Sequence, residues 1–392
     1  MPAPNDCQDC DRCETRAQVV QHTPARKPYM IVIDVPSSSD ESAGKLLTGG
    51  VGSLVGKILS ACDISEEDVF ITSSVRCAGK NILKKHREAC KHYLFEDIDI
   101  VQPNVIITMG KASLESVLGI SGVTLQRGSV FNLEVEEDYF IPVVPTFAAG
   151  SIFADYKNYE IIMNDITKAR DVATGTTFKK EGTDVFVVKD LDDLQKAYDT
   201  LMQADMMAFD TETTGLNPFK PNADILCYSF SVKEGEAIVI PILGQWAAEI
   251  WNREDKEIVL EIVKEILENH VPKVAGNGKF DKRYIRKVHG IEVNNFFFDT
   301  QLGYSMIHEE RPHGLDHLRT IFTTMRRYDS FKDNATPEEK EHIKQSGYVL
   351  YPADIRDQYA GADADTALRV AKKIVKLIRL ESRGVKAAFS RL

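Results

Sequence analysis

Two acidic side chains near the middle of the chain have a spacing that suits metal chemistry. Asp210 and Glu212 follow the apolar run Met206–Phe209, which we expect to be a strand. Because side chains alternate along a strand, residues two apart lie on one face, and both carboxylates would point the same way. Two acids held that close repel each other unless a divalent cation lies between them. A lone Asp-x-Glu is common at solvated strand ends, so the pair predicts a metal site only if further ligands join it.

Other acidic residues downstream are suited to join this pair. Asp281 follows a predicted strand that ends at Ala275, and it lies at the opening of a predicted helix. Asp363 lies four residues after Tyr359, and in a helix this spacing places the carboxylate and the phenol on one face. Oxygen ligands in this number suit Mg²⁺ or Mn²⁺. Two such ions about 4 Å apart can activate a water and stabilise the leaving oxygen of a phosphodiester, so the pattern predicts two-metal phosphodiester hydrolysis.

Cysteines in the first half of the chain have a different ligand pattern. Cys7 and Cys10 are separated by two residues, and Cys77 and Cys90 lie far downstream. Four thiolates of this kind fit either zinc or an iron–sulfur cluster, and the number of thiolates does not separate the two. Cys13 has the same spacing from Cys10 and is an alternative to Cys7 as the first ligand.

The elements that would position these residues divide the chain into two parts. In the first part, buried-strand candidates alternate with helical patterns, which is typical of an α/β domain with a mostly parallel sheet. These strand candidates are Tyr29–Asp34, Val69–Thr72 and Val105–Met109. Residues 171–184 lack apolar periodicity and are interpreted as a linker between domains 1–170 and 185–392. Beyond the linker we predict the strands Val185–Val188, Met206–Phe209, Ile225–Val232, Glu236–Pro241 and Val271–Ala275, with mainly helices after about residue 255.

Composition excludes several classes of protein. The chain has 392 residues, of which 43% are hydrophobic and 27% charged, as in globular proteins. It has no apolar run long enough for a membrane span and no secretory signal, so we expect a cytoplasmic protein whose cysteines are reduced. The formal charge of −11 argues against a surface that binds nucleic acid everywhere. Local basic stretches remain, at residues 80–91 and 372–391, and each alone is most simply a solvated helix face.

The acidic residues lie in three segments that resemble the motifs of a known domain. The segments are Phe209-Asp-Thr-Glu-Thr-Thr-Gly215, Asn277-Gly-Lys-Phe-Asp281 and Tyr359-Ala-Gly-Ala-Asp-Ala-Asp-Thr-Ala-Leu368. They are similar to the three motifs of the proofreading 3′→5′ exonuclease domain of family A (polymerase I-like) DNA polymerases, and the resemblance covers about residues 185–380. It implies a ribonuclease H-like fold with a mixed central sheet. It also implies two bound Mg²⁺ (or Mn²⁺) ions held by Asp210, Glu212, Asp281 and Asp363, with Tyr359 orienting the attacking water.

Some neighbours of these motifs are assigned other roles. Asp365 is interpreted as an acid on the surface of its helix. Asn277 either hydrogen-bonds the terminal nucleotide or caps the helix that follows. Asp299 resembles a recurrent family position that is more architectural than catalytic.

The first part of the chain resembles another family. Cys7-Gln-Asp-Cys-Asp-Arg-Cys13, Gly49-Gly-Val-Gly-Ser-Leu-Val-Gly56 and Asp68-Val-Phe-Ile-Thr-Ser-Ser-Val-Arg-Cys77 are similar to segments of family 4 uracil-DNA glycosylases, over about residues 5–170. That family implies an α/β domain with a [4Fe–4S] cluster, here on Cys7, Cys10, Cys77 and Cys90, with Zn²⁺ as the alternative. The catalytic pattern of the family is not matched. Its glycine-rich loop is replaced by Ile33-Asp-Val-Pro-Ser37 and its His-Pro pair by Pro145-Thr-Phe-Ala-Ala149, so we expect no glycosylase activity and a role in docking DNA or a partner.

The two resemblances occur together in large phage DNA polymerases. Nothing after Asp363 resembles the thumb, fingers or palm of a polymerase. We therefore interpret the chain as the proofreading part of such an enzyme, acting on single-stranded DNA 3′ ends beside a polymerase domain or subunit, in the host cytoplasm if the protein is phage-encoded. Two alternatives stay open, a free-standing exonuclease with RNA or repair substrates, and a replication scaffold without catalysis.

Overall fold

A computed structural model of the chain describes residues 6–20, 23–79, 82–175, 182–334 and 336–380. The chain forms two compact units, one of residues 1–179 with 324–327 and one of residues 180–323 with 328–392. The predicted linker 171–184 lies partly outside the described residues, because 176–181 are not among them. A helix of the first unit runs to Ala173, and the first strand of the second unit begins at Asp184. No helix among the described residues is long and apolar enough to cross a membrane.

The first unit is built on a five-stranded sheet. Its strands are β1 (Tyr29–Ile33), β2 (Val69–Ser73), β3 (Val105–Met109), β4 (Phe131–Glu136) and β5 (Tyr139–Thr146). Its helices are α1 (Ser38–Ala43), α2 (Gly49–Ala61), α3 (Lys84–Val101), α4 (Lys111–Leu118), α5 (Val123–Gln126) and α6 (Asn158–Ala173). The strand order is β2-β1-β3-β5-β4, and every neighbouring pair is parallel except the antiparallel edge pair β4–β5. The prediction of a mostly parallel α/β sheet is confirmed.

Strand β1 is apolar throughout because both of its faces are covered. Ile31 and Ile33 pack into a core with α2 and α6, whereas Met30 and Val32 pack into a second core with α3. A central strand covered on both faces has no solvent side, so its sequence shows no polar alternation. The edge strand β4 alternates half-buried and exposed residues, and the sequence analysis did not identify it.

The second unit is built on a six-stranded mixed sheet. Its strands are β6 (Asp184–Val187), β7 (Met207–Thr213), β8 (Ile225–Lys233), β9 (Glu236–Pro241), β10 (Lys273–Ala275) and β11 (Phe296–Asp299). Its helices are α7 (Leu191–Met202), α8 (Arg253–Glu268), α9 (Gly278–His289), α10 (Thr300–Ser305), α11 (Leu315–Phe322), α12 (Pro337–Ser346) and α13 (Ala353–Leu380). The order is β11-β10-β7-β8-β9-β6, with β8 antiparallel to both β7 and β9. The predicted fold class, an α/β domain followed by a domain with a mixed central sheet, is confirmed.

Strand β7 and helix α13, which packs on it, carry three of the four acidic residues predicted as metal ligands. Met207 and Phe209 pack into a core that includes α8, whereas Ala208 packs into the core that contains much of α13. Asp210 and Glu212 share the parity of Ala208 and therefore face α13. The strand does not end at Phe209 as predicted, because its pairing with β8 continues to Thr213. Asp210 and Glu212 thus lie within a hydrogen-bonded strand, which fixes the positions of their backbones.

The interpretation of Asp365 as a surface acid is wrong. The residue has 0% exposure, because α13 packs across the sheet and this side of the helix is covered. Its carboxylate accepts hydrogen bonds from the Gly235 backbone at 3.0 Å and from the Thr183 hydroxyl at 2.7 Å. The Arg369 guanidinium pairs with it from one turn later in the helix. Asp365 therefore ties α13 to the β8–β9 turn and to the segment before β6.

Candidate active site

Three of the predicted ligands converge in the second unit. Carboxylate oxygens of Asp210 and Glu212 on β7 and of Asp363 on α13 all lie within 4.8 Å of one another. Glu212 is only 6% exposed. The sheet supplies two of the acids and the helix packed on its face supplies the third, so the cluster depends on the contact between β7 and α13. Oxygen atoms this close, on groups of the same charge, form a suitable binding site for a divalent cation.

Asp281 lies beside this cluster, in the first turn of α9, and is 2% exposed. Its Oδ1 accepts hydrogen bonds from the backbone N–H and the hydroxyl of Thr211, at 3.2 and 2.6 Å. Thr211 lies between Asp210 and Glu212 on β7, and its side chain is on the opposite face of the sheet. The strand therefore places two acids itself and holds a third through the intervening threonine.

The protonation behaviour of the four acids reflects this crowding. Burial and then the charges of Asp281, Asp363 and Glu212 raise the pKa of Asp210 well above its usual range. Burial and the charge of Asp363 do the same to the pKa of Glu212. Burial raises the pKa of Asp281 to about 7 and that of Asp363 to about 6. A bound divalent cation would relieve this repulsion, so the donor set and its charge fit the metal that the sequence predicts.

Two phenols hold Asp363, and only one of them was identified from the sequence. Tyr359 precedes Asp363 by one helical turn, and its side chain hydrogen-bonds that carboxylate. The Tyr328 hydroxyl donates to Asp363 Oδ1 at 2.6 Å and accepts from the Thr366 hydroxyl at 3.1 Å. Tyr328 lies in an irregular segment after α11, where no periodicity or motif indicates a functional residue.

A lysine and further aromatic rings complete this side of the site, and the sequence analysis missed them as well. The Lys332 ammonium lies 4.0 Å from the ring centroid of Tyr359 and 5.1 Å from that of Tyr348. The Phe331 ring lies 5.7 Å from the Tyr359 ring, in an edge-on arrangement. These residues belong to the segment between α11 and α13, which folds back towards the ends of β7 and α13.

Asn277 and Asp299 differ in what they do at the start of α9. Asn277 is the N-cap residue with φ of 66°, but its side chain makes no capping hydrogen bond. Asp299 caps instead: its carboxylate accepts the Gly278 N–H at 2.9 Å and the Gln301 N–H at 2.9 Å, at the starts of α9 and α10. Asp299 is thus architectural, as the sequence analysis expects. The Asn277 side chain is not used as a cap.

A basic cavity of about 630 Å³ lies beside Asn277. Its lining includes the side chains Lys279, Lys282, Arg283, Arg286, Phe280 and Phe296. The Lys282 ammonium lies 4.9 Å from the centroid of the Phe296 ring. The outer side of α9 therefore presents cations and aromatic rings, while the same helix carries Asp281 on its buried side.

The four cysteines predicted as ligands lie in one region of the first unit. Burial raises the pKa of Cys77, and the charges of Cys10 and Cys7 raise it further. Burial raises the pKa of Cys90 to about 11, with added repulsion from Cys77 and Cys10. Cys13 lies in the short turn Asp11–Glu14 and donates its N–H to the Cys10 carbonyl. Cys10 acts electrostatically on both Cys77 and Cys90, and Cys7 acts on Cys77, so these cysteines lie in one neighbourhood.

Donors surround these sulfurs. The Arg16 guanidinium lies 3.9 Å from Cys77 Sγ and donates to the Cys7 carbonyl at 2.6 Å. The Tyr93 hydroxyl lies 3.9 Å from Cys7 Sγ. Arg16 contributes a positive charge that would stabilise a cluster of thiolates.

Asp34, in the segment Ile33–Ser37, lies against the start of α4. The Asp34 carboxylate accepts the Ser113 N–H at 2.8 Å and also bonds the N–H groups of Lys111 and Ala112, so it occupies the start of α4. A side chain at Gly110 would place its Cβ 2.2 Å from Asp34 Oδ2. A cavity of about 580 Å³ adjoins Asp34 and is lined by the cations Arg87 and Lys111.

Part of the basic stretch 80–91 lines a neighbouring cavity of about 380 Å³. Lys84, Arg87 and Lys91 on α3 form its cationic side. Arg87 pairs with Glu115 at 2.5 Å. Lys80 lies outside the described residues.

Two known families match separate parts of the chain. Residues 185–379 match the 3′-5′ exonuclease family of the DNA polymerase A type. Residues 20–163 match the uracil DNA glycosylase superfamily. The exonuclease match contains Asp210, Glu212, Asp281 and Asp363, and the glycosylase match begins after Cys13.

Individual relatives include proteins of both kinds. The DNA polymerase of Bacillus phage SP01 is 24% identical over 377 residues, which is 89% of this chain and 40% of the polymerase. The type-4 uracil-DNA glycosylase of Pyrobaculum aerophilum is 31% identical over 121 residues, 29% of this chain and 62% of the glycosylase. This chain therefore spans less than two thirds of either relative.

Among solved structures, the catalytic core of RRP6 from Trypanosoma brucei is 16% identical with a TM-score of 0.39, covering 56% of this chain and 55% of that one. The chain contains, in this order, a domain of the uracil DNA glycosylase superfamily and a 3′-5′ exonuclease domain of the DNA polymerase A type.

Proposed function

We propose that the chain is a metal-dependent 3′→5′ DNA exonuclease that releases nucleoside monophosphates from single-stranded 3′ ends. The observation that carries this proposal is the convergence of Asp210, Glu212 and Asp363 within 4.8 Å, with Asp281 beside them, inside a domain of an exonuclease family. Buried or half-buried acids this close together raise the pKa values of Asp210 and Glu212, and such a cluster is common where charge is needed for catalysis.

The proposed ligands of two Mg²⁺ or Mn²⁺ ions are Asp210, Glu212, Asp281 and Asp363. When bound, such ions would activate a water and stabilise the leaving oxygen of the phosphodiester. Thr211 fixes one oxygen of Asp281, and Tyr328 fixes one oxygen of Asp363. These hydrogen bonds restrict how the two carboxylates can rotate, so the ligands are held in place before substrate binds.

Tyr359 is the residue that we propose orients the attacking water. Its ring lies 5.8 Å from that of Tyr328 and 5.3 Å from that of Tyr348, and it is also packed against Phe331. A phenol enclosed by rings has few accessible rotamers, so its hydroxyl is held close to Asp363. Burial and the charges of Asp363 and Glu212 raise the pKa of Tyr359 well above its ordinary value. The group is therefore a neutral hydrogen-bonding partner for water and does not act as a base.

The basic cavity at Asn277 is where we propose the single strand enters. Its cations suit phosphates, and its rings suit stacked bases, which together favour single-stranded nucleic acid. The Asn277 side chain makes no capping bond, which leaves its amide suited to contact the terminal nucleotide. We propose DNA and not RNA as the substrate, because the phage relative that matches 89% of this chain is a DNA polymerase.

The test uses a 3′-labelled single strand with Mg²⁺. We expect the wild-type protein to release labelled nucleoside monophosphate and Asp210→Ala to release it at least about 1,000-fold more slowly, since a lost metal ligand removes several kcal/mol of stabilisation. Asp205→Ala is the matched control, because Asp205 is an exposed acid just before β7. Equal rates for wild type and Asp210→Ala would reject the assignment.

The first domain, we propose, does not excise uracil. The Asp34 carboxylate is bound to N–H groups at the start of α4, so its acceptors are already used. Ser37 and Ala148 stand where the family has a glycine and a histidine in the alignment of the two motifs. The test is alkali cleavage of a uracil-containing strand after incubation. Breaks that appear with wild type and vanish with Asp34→Asn would overturn the proposal.

The same domain, we propose, carries a [4Fe–4S] cluster on Cys7, Cys10, Cys77 and Cys90. The cluster is preferred to zinc because the segments that carry these cysteines resemble family 4 uracil-DNA glycosylases. Iron and sulfide analysis, together with an absorption band at about 400 nm, tests for the cluster. Stoichiometric zinc without iron in anaerobically purified protein would replace the cluster by a zinc site.

The cationic side of α3, at Lys84, Arg87 and Lys91, is the surface that we propose docks DNA in this domain. A polymerase domain or subunit is the partner proposed for the whole chain, because the phage relative that matches 89% of it is a DNA polymerase.

A further inference from the structure

Lys332 occupies an unusual position for a lysine. It lies in a single helical turn, Ser330–Asn334, and its side chain is only 24% exposed. Its ammonium is 4.0 Å from the centroid of the Tyr359 ring, 5.1 Å from that of Tyr348 and 5.7 Å from that of Phe331. Three aromatic faces thus surround the cation and hold its side chain in one orientation.

The charge of this lysine acts on the acidic cluster. It lowers the pKa values of Glu212 and Asp363, against the opposing effect of burial. Burial alone would lower the pKa of Lys332, but Tyr348, Asp329 and Asp363 raise it above its ordinary value, so the group is charged. Arg356 also acts on Glu212, but its guanidinium is bound to Asp357 and to the Leu243 carbonyl.

Within the part of the chain that the structure describes, the donors of Lys332 are only partly used. An ammonium has three N–H donors. Asp329 lies 3.4 Å from Nζ, and Tyr348 hydrogen-bonds it. A third donor is therefore suited to a ligand that enters beside Tyr359. A phosphodiester that approaches four carboxylates is repelled by them, and a fixed cation on the Tyr359 side would offset part of that repulsion.

We propose that Lys332 is a further catalytic residue, whose ammonium binds a non-bridging oxygen of the scissile phosphate and stabilises its charge in the transition state. This inference rests on the proposed exonuclease function. Tyr359 and Lys332 lie on the same side of the cluster, so the water held by the phenol and the phosphate held by the ammonium would be neighbours. The aromatic rings hold the cation in advance, so it needs little reorganisation when substrate binds.

The first experiment measures single-turnover cleavage of a 3′-labelled strand by wild type, Lys332→Met, Lys332→Arg and a control, Lys264→Met, at the exposed side chain of α8. Methionine keeps the apolar stem within the rings and removes the charge. We expect Lys332→Met to be about 100-fold slower, as when one donor to a developing charge is removed. Lys332→Arg should recover at least 10-fold, and Lys264→Met should equal wild type. A Lys332→Met rate within 2-fold of wild type would overturn the proposal.

A substrate substitution separates contact with phosphate from a structural role. Sulfur replaces one non-bridging oxygen at a time in the terminal linkage, giving two stereoisomers. We expect Lys332→Met to slow the oxygen substrate about 100-fold and one thio isomer less than about 10-fold, because sulfur already weakens that contact. An equal loss on the oxygen substrate and on both isomers would assign Lys332 to structure alone.

A binding measurement keeps the proposal testable without turnover. Thymidine 5′-monophosphate is titrated calorimetrically into wild type and Lys332→Met in Mg²⁺. We expect the variant to bind at least 5-fold more weakly, and equal affinities would overturn the proposal. If wild type binds the nucleotide through Lys332 but cleaves no strand, the exonuclease function fails while the phosphate contact stands. Cleavage by wild type with no effect of Lys332→Met in any assay rejects only the contact.

Discussion

Gly347 offers the sharpest test of how the active site is held together. Its backbone has φ of 63° and ψ of −151°, a region that is essentially restricted to glycine. A Cβ at this position would lie 1.8 Å from the Thr213 carbonyl oxygen and 3.1 Å from the Gly215 nitrogen. The segment before Tyr348 therefore packs backbone to backbone against the end of β7, the strand that carries Asp210 and Glu212.

The magnitude of Gly347→Ala follows from these contacts. The forbidden backbone conformation costs about 1–3 kcal/mol, and forcing apart packed backbone costs a further 1–3 kcal/mol or so. We expect an unfolding free energy lower by about 2–6 kcal/mol. The Cβ must also separate from the carbonyl by about 1.2 Å to reach the shortest contact that real structures show. That shift moves Tyr348 or the end of β7, so the cleavage rate should fall more than 10-fold as well.

Gly290→Ala is the matched control. Gly290 also has a positive φ, 70°, at the end of α9, but nothing lies within 4 Å of a Cβ there. Only the left-handed strain remains, about 1 kcal/mol, and the cleavage rate should not change.

Urea unfolding followed by tryptophan fluorescence measures both variants. The only two tryptophans of the chain, Trp246 and Trp251, lie in the second unit, so the signal reports the unit that carries the substitutions. Equal destabilisation by Gly347→Ala and Gly290→Ala, with equal cleavage rates, would refute the argument that this segment supports β7.

Three further outcomes are expected. Tyr359→Phe should slow cleavage about 10-fold, far less than the 1,000-fold expected for Asp210→Ala, because one oriented hydrogen bond is worth about 1–1.5 kcal/mol; single-turnover kinetics compares the two. Burial lowers the pKa of Lys273 to about 8. Between pH 8 and about 10.5, the ordinary pKa of a lysine, Lys273 binds more protons in the unfolded state than in the folded state. The free energy of unfolding should therefore rise with pH in this range for wild type relative to Lys273→Met, as measured by urea unfolding. The double variant Cys77→Ala, Cys90→Ala should lose its iron; retained iron would mean that the ligands are assigned wrongly.

Local periodicity predicted the parts of the site that regular elements carry. Alternation in β7 placed Asp210 and Glu212 on one face, and the i, i+4 spacing in α13 placed Tyr359 with Asp363. Asp365 was assigned wrongly, because α13 contacts both the sheet and the helices α10 and α11, and a two-residue offset there does not imply exposure.

Tertiary contacts decide the rest. Tyr328 and Lys332 lie in the connection between α11 and α12, which contains only one short helical turn, and only the fold brings them to Asp363 and Tyr359. The cysteine spacing could not choose between Cys7 and Cys13, because each is separated from Cys10 by two residues. The placement of Cys7 beside Tyr93, a residue of α3, comes from the packing of the N-terminal segment on that helix.

A 5′-labelled single strand tests the direction and the metal dependence of cleavage in one measurement. We expect wild type with Mg²⁺ to shorten the strand from its 3′ end in single-nucleotide steps, giving a ladder of labelled products. Chelation of the metal and Glu212→Ala should each abolish the ladder. A labelled mononucleotide released at once from the 5′ end, or an unchanged ladder from Glu212→Ala, would reject the assignment of a metal-dependent 3′→5′ exonuclease.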